Sequence, residues 1–246
     1  MELKGKVFIL TGAKRVGQDV AKALGERGAN MVISYNTSLE DAQALQRECE
    51  SSGARAVTFK ADLSQNRDIE SLADETLKQF GRIDGLIHMA ANYPKTPIGG
   101  ITLEDFDKTM HIIAASTLLL GQKIGKEMQE NEGDVKGKMI FFSDWSVLRS
   151  PYPDYIVYNG AKSAVESFTK SLARQFAPSI TVNAIAPGPI LRPPDLSDDD
   201  NEEVMDKTPL KKWGGSKEIA KAVLYLLDAD FTTGIILAVD GGRSIE

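Results

Sequence analysis

The chain has 246 residues, 42% hydrophobic and 26% charged, the proportions of a folded globular protein and enough length for one α/β domain with a sizeable core. A formal net charge of -6 opposes nucleic-acid phosphates and anionic membrane surfaces at long range, while leaving room for a local basic pocket that holds a small anion. The lone Cys49 excludes an intrachain disulfide, and with only two histidines no metal site is expected.

Residues 1–6 lead straight into a strand-like run with no signal-type apolar segment, and no stretch approaches membrane-spanning length, so a cytoplasmic location without membrane partners is expected. Residues 7–10 read as the first buried strand. They are followed by Thr11-Gly12-Ala13-Lys14-Arg15-Val16-Gly17 and a helix bearing Val20, Ala21, Ala23 and Leu24. Glycine at such a turn lets backbone approach a pyrophosphate, and the helix N-terminus presents unpaired N–H groups to it; a tight connection alone would also suit the sequence. Further strands are predicted over 31–33, 56–59, 83–87, 139–142, 180–185 and 235–239, with helices between them. That alternation indicates a doubly wound α/β sheet of about seven parallel strands in a single Rossmann-type domain spanning 1–246. Helical periodicity is clear in Val165, Phe168, Leu172 and Phe176, and again in Ile219, Val223, Leu226 and Leu227. The only long irregular stretch, 187–212, contains five prolines and a dense acidic cluster. Loops of that length are usually functional or mobile.

Tyr158 and Lys162 lie four residues apart at the start of a helical segment, so phenol and ammonium share one face. A nearby cation favours phenolate, and the pair is expected to lower the Tyr158 pKa towards working pH, as a general acid for a carbonyl requires.

Taken in order, these segments resemble the short-chain dehydrogenase/reductase family along nearly the whole chain. Thr11 to Gly17 is similar to the family's TGxxxGxG loop, with Arg15 in place of the middle glycine and one residue fewer. Asp62 and Leu63 match the adenine-contacting segment, and His88-Met89-Ala90-Ala91 takes the place of NNAG. Tyr158 to Lys162 is the YxxxK pair. Val182 to Gly188 resembles the segment beneath the nicotinamide, and Val239-Asp240-Gly241-Gly242 closes the chain as in that family.

The resemblance implies hydride transfer from a nicotinamide to a carbonyl or imine carbon, with Tyr158 protonating the substrate and Lys162 holding the nicotinamide ribose. It also implies cofactor contacts from Gly12, Lys14, Arg15, Val16, Gly17, Asn36, Thr37, Ser38, Asp62, Leu63, Ala90, Ala91, Lys162, Pro187, Gly188 and Ile190. An NAD-selective member would carry an acid near the end of strand two, where this chain has Ser34 to Ser38. Lys14 and Arg15 suit a 2′-phosphate, so NADPH is the expected cofactor.

Three positions depart from the family. Its oxyanion-binding serine lies thirteen residues before the tyrosine, where this chain has Trp145; Asp144 is favoured for the role, as in the pteridine-reductase branch, with Ser146 second and a turn-satisfying carboxylate as the plain alternative. The helical asparagine that supports a water relay aligns with Ile113, which cannot hydrogen-bond water. Ser116 could substitute, although a helix-surface hydroxyl is the expected reading. His88 is read as a hydrogen-bonded core or edge histidine and His111 as solvated. The expected protein is a NADPH-dependent reductase of a small carbonyl or pterin-like C=N substrate, assembled as a homodimer or homotetramer. A 3-oxoacyl carrier-protein reductase-like enzyme and a non-catalytic dinucleotide-binding regulator remain the alternatives. Seven carboxylates within residues 195–206, in the segment that covers the substrate, suggest a neutral or cationic flat molecule stacked on Trp145 and Tyr155.

Overall fold

The run Val7–Thr11 forms β1 and is buried at every position, as a strand covered on both faces must be. In the computed structural model, which describes all residues except Asp195 and Glu246, β1 leads through the glycine turn to α1 (Val16–Glu26) and then to β2 (Asn30–Tyr35), α2 (Leu39–Ser51), β3 (Ala56–Lys60) and α3 (Asn66–Phe80). The second half begins with β4 (Gly85–His88) and α4 (Leu103–Met110). A π-helical turn, His111–Ala115, passes α4 directly into α5 (Ser116–Gln129). Then follow β5 (Gly137–Phe142), the single turn α6 (Trp145–Leu148), α7 (Ile156–Phe176), β6 (Ile180–Pro187), α8 (Asp198–Asp206), α9 (Ser216–Asp228) and β7 (Ile236–Val239).

All seven strands pair in parallel in the order β3-β2-β1-β4-β5-β6-β7. The chain runs outward from β1 to β3, then returns to place β4 on the other flank of β1. Connections on either side of that switch leave in opposite directions, opening a crevice at the carboxyl ends of β1 and β4, where α/β sheets bind ligands. Two apolar layers hold the helices: α1, α2 and α9 cover one face through Val20, Leu24, Leu45 and Val223. The other face is covered by α3, α5 and α7 through Leu72, Leu120, Ile124 and Val165. Among the described residues no helix is long and apolar enough to cross a membrane.

The strands fall where the apolar runs place them, within one or two residues at each end. The stretch 187–212 differs, because its acidic part forms α8 instead of continuing irregularly. Ser197 caps that helix by accepting a hydrogen bond from the Asp200 amide at 3.1 Å, and three aspartates occupy its first turn, where the helix dipole favours them. No residue of α8 is buried, so it lacked the apolar periodicity by which a helix is recognised. Asp195, also part of the acidic cluster, lies outside the described residues.

Candidate active site

A cavity of about 1250 Å³ opens over the switch point. Its floor at the first βα turn is bare backbone. Gly12 has φ 76°, and a Cβ there would stand 2.7 Å from the amide nitrogen of Ala90, so only glycine lets the loop pack onto the chain leaving β4. Arg15, where the family has glycine, also takes a positive φ of 53°, a conformation costing about 1–2 kcal/mol for an L residue. Its guanidinium reaches across the cleft and donates to the Leu191 carbonyl at 3.2 Å. Lys14 Nζ lies 3.1 Å from Asp41. Although the end of β2 carries no acid, α2 supplies this one to the cavity wall.

The cavity brings together every expected cofactor contact except Gly17, from Asn36, Thr37 and Ser38 at one end to Tyr158, Lys162 and Ile190 at the other. Gly17 instead lets α1 approach the loop, since a Cβ on it would meet the Gly12 carbonyl oxygen at 2.5 Å. These residues fit a dinucleotide: a trough that includes the glycine turn at the N-terminus of α1, with Lys14 and Arg15 beside it.

At the far end, Tyr158 and Lys162 project from the first turns of α7 and are both nearly inaccessible, 6% and 4% exposed. Tyr158 Oη donates to Asp144 Oδ2 at 2.7 Å. The other oxygen of Asp144 accepts from the Ser146 amide at 2.9 Å, so this carboxylate both caps its turn and faces the phenol. Ser146 is fully buried with no partner for its hydroxyl among the described residues, and it does not line the cavity. Of the two candidates for the serine position, the fold brings Asp144 to Tyr158 and leaves Ser146 out.

Lys162 Nζ donates to the Phe142 carbonyl at 2.7 Å and lies 5.7 Å from the centre of the Tyr158 ring. Burial lowers its pKa to about 8, with Asp144 opposing that fall. The expectation that Lys162 depresses the Tyr158 pKa is corrected here: burial, then the charge of Asp144 and the hydrogen bond to it, raise that pKa well above the ordinary phenol value. Burial disfavours the phenolate, and a carboxylate in place of a neutral serine adds a like charge beside it.

His88 is buried and its pKa is lowered to about 3, chiefly by burial and then by Lys162, so the ring is neutral. Its Nε2 lies 2.9 Å from Ser116 Oγ, whose proton goes to the Ile112 carbonyl at 2.6 Å. Nε2 therefore carries the hydrogen, and Nδ1 accepts from Thr11 Oγ1 at 2.7 Å. The imidazole thus ties the end of β1 to the π-helical turn. Ser116, expected at the surface, is fully buried in this chain of bonds. Ile113 packs into the core and Ile112 lines the cavity. His111 is exposed, and its Nδ1 lies 2.8 Å from the Asp107 carbonyl oxygen.

Two wall residues escaped sequence reasoning. Tyr93 stacks on Tyr155 with centroids 4.1 Å apart and meets the Tyr158 ring edge-on at 4.7 Å. Arg243 places Cζ 5.0 Å from the centre of the Trp145 ring. Trp145 and Tyr155 were expected to stack on substrate, yet each already has one face against a protein group. An aromatic two residues after the cofactor-contacting Ala90-Ala91 and an arginine directly after the closing glycines were the available signals. The carboxylates of α8 are exposed, and of that helix Val204 lines the cavity.

A family model described as enoyl-(acyl carrier protein) reductase matches residues 12–244. The chain is 30% identical to the hydroxynaphthalene reductase-like protein Arp2 of Metarhizium anisopliae over 98% of its own length and 95% of the relative's. Among solved structures it is similar to a blue fluorescent protein from a metagenomic library in complex with NADPH, at TM-score 0.90 and 30% identity, covering 99% of this chain and 100% of that one. It is also similar to the FolM alternative dihydrofolate reductase 1 of Brucella canis complexed with NADP, at TM-score 0.91 and 26% identity, covering 100% and 96%. The chain belongs to the short-chain dehydrogenase/reductase family of oxidoreductases, which bind a nicotinamide dinucleotide.

Proposed function

We propose that this short-chain dehydrogenase/reductase is a single-domain, NADPH-dependent reductase of a small, flat carbonyl or pterin-like C=N substrate, with Tyr158 as proton donor. The observation that carries the reading is the Tyr158 to Asp144 hydrogen bond at 2.7 Å, set above the buried Lys162 at one end of the dinucleotide trough. The bound cofactor supplies the hydride. Lys162 contributes positive charge for the ribose hydroxyls and for charge developing beneath the substrate. Burial, reinforced by Asp144 facing the phenol, holds Tyr158 in its protonated form. The site is therefore set for reduction, in which Tyr158 must hold a proton to give. Oxidation would need its phenolate as base.

The choice of NADPH rests on Lys14 and Arg15 at the glycine loop with Thr37 and Ser38 opposite. Lys14 is 60% exposed and its partner Asp41 46%. An ion pair that open to solvent contributes little, so Lys14 is free to turn to a 2′-phosphate. The FolM relative in complex with NADP and the presence of Asp144 support a C=N substrate; the Arp2 relative supports a flat aromatic ketone. A carrier-protein substrate is disfavoured because the exposed acids of α8, beside the cavity, would repel an acidic carrier. The proposed cytoplasmic location and homo-oligomeric assembly follow from the sequence reading.

The test is a fluorescence titration with NADPH and NADH, followed by steady-state assays with dihydropterins, flat diketones and an oxoacyl carrier protein. NADPH binding at least tenfold tighter is expected, with turnover of the small substrates. Tyr158→Phe should then lose about a hundredfold or more in kcat while binding NADPH normally, the range for a missing general acid. Tighter NADH binding rejects the cofactor assignment, and turnover restricted to the carrier protein rejects the substrate class. Undiminished activity in Tyr158→Phe rejects the proton donor.

A further inference from the structure

Arg243 takes no part in the reaction described above, yet its guanidinium lines the same cavity. The fold positions it firmly. Asp240 accepts from the amides of Gly242 at 3.0 Å and Ser244 at 2.7 Å, closing the turn from which Arg243 projects. The Gly188 amide bonds the Val239 carbonyl at 3.0 Å, fastening this tail to the segment after β6. Asp240 is thus occupied by backbone, and Nη1 of Arg243 is buried with no hydrogen-bond partner among the described residues. Such a group is costly to leave unpaired.

Its neighbours place it on the substrate side. The Trp145 ring under the guanidinium belongs to the residue following Asp144, the partner of Tyr158. The cavity cations assigned to the dinucleotide already have protein neighbours: Lys14 faces Asp41, Arg15 donates to the Leu191 carbonyl and Lys162 donates to the Phe142 carbonyl. Charge in the lining also favours an anion. With Lys14, Arg15 and Lys162 given to the dinucleotide, Lys95 and Arg243 remain in the lining as cations. Six of the acids that suggested a neutral or cationic substrate lie on α8 and are exposed. A guanidinium is a planar fork matched to carboxylate-type oxygens, and a ring beneath it limits its rotation.

We propose that Arg243 anchors an anionic oxygen of the substrate, a carboxylate or ionised ring oxygen on a flat aromatic framework, and so selects anionic over neutral substrates. This rests on the reading that substrate occupies the cavity between Tyr158 and Trp145.

Naphthalene-2-carboxylate and naphthalene-2-carboxamide, titrated calorimetrically into the NADP-loaded protein, provide the test, because they differ in charge and share a ring. The wild type should bind the carboxylate at least tenfold more tightly. Arg243→Met, which keeps an apolar stem on Trp145, should abolish the preference. Arg243→Lys should restore part of it, and all three proteins should bind NADPH within twofold of one another. Equal affinities in the wild type, no binding of either probe, or a preference surviving in Arg243→Met overturns the assignment. A loss of NADPH affinity in Arg243→Met also overturns it, by giving the guanidinium to the dinucleotide. The readout is binding, so failure of the Tyr158 turnover experiment leaves this result standing.

Discussion

Replacing Gly12 by alanine tests whether the trough is shaped as its geometry requires. An L residue at φ 76° costs about 1–2 kcal/mol. The new Cβ would also stand 2.7 Å from Ala90 N and from the Met89 carbonyl carbon, both backbone atoms that cannot swing aside, and overpacking of this kind costs about 1–3 kcal/mol. Together about 2–5 kcal/mol is lost, which for a chain of this size lowers Tm by about 4–20 °C. Relief comes by pushing the glycine loop off the chain beyond β4. Both segments line the trough, so NADPH affinity should fall at least tenfold. Gly160→Ala is the control: it lies within α7 between Tyr158 and Lys162, and a Cβ there meets nothing within 4 Å. That substitution should stabilise the protein by about 1 kcal/mol through helix propensity and leave NADPH binding unchanged. Differential scanning calorimetry and fluorescence titration of both variants decide. If Gly12→Ala melts and binds like the wild type, the close approach on which the trough is built is not present.

The rate of reduction should fall as pH rises through about 8, where buried Lys162 loses its proton. Asp144→Asn should move that limb to lower pH, because the carboxylate it removes favours the ammonium; a limb that stays in place or moves up refutes the coupling. In the same variant the phenols should titrate at lower pH by ultraviolet absorbance, since Asp144 raises the pKa values of Tyr158, Tyr152 and Tyr93. Away from the site, Asp84 is the buried charge that matters for stability. Burial pushes its carboxyl up, but Arg82, the Val7 amide and Lys6 outweigh it and hold the pKa below the usual value. Its stabilisation is therefore present above the unfolded carboxylate pKa and lost as pH falls through the folded one. Asp84→Ala should cost about 1–3 kcal/mol, chiefly by leaving the buried Val7 amide without its acceptor, since Arg82 is 41% exposed and can turn to solvent; a denaturant midpoint within experimental error of wild type would contradict this.

The strands were legible because a parallel sheet covered on both faces leaves continuous apolar runs, as in Val7–Thr11 and Gly137–Phe142, each buried throughout. Helix α8 was not, because a helix with no buried residue has no apolar face to reveal its period. The Tyr158 and Lys162 pair could be placed from spacing, whereas spacing pointed to Trp145 for the serine position and Asp144 came from the resemblance to the pteridine-reductase branch. The electrostatics of the group could not be read from spacing, since the sign of the Tyr158 shift depends on which oppositely acting neighbour lies closer and on depth of burial. Spacing also could not assign Ser116. Its hydroxyl points inward because the π-helical turn His111–Ala115 adds a residue to the helix ahead of it, rotating the next turn towards His88.

That same turn bears on how protons reach the site. In the family pattern a polar side chain before α5 supports a water relay; here Ile112 lines the cavity and Ile113 enters the core. The polar groups displaced from that position reappear as the Thr11, His88 and Ser116 chain, but a ring held neutral, with its pKa at about 3, between two committed hydroxyls is a brace and cannot readily pass protons. Asp144 remains the carboxylate that touches both Tyr158 and the cavity. For the reaction proposed above, the route that replaces the Tyr158 proton is expected to run through the substrate side of the site. Solvent isotope effects on kcat that disappear in Asp144→Asn would agree with that route, whereas effects abolished by His88→Asn and retained in Asp144→Asn would place the relay back beneath the cofactor.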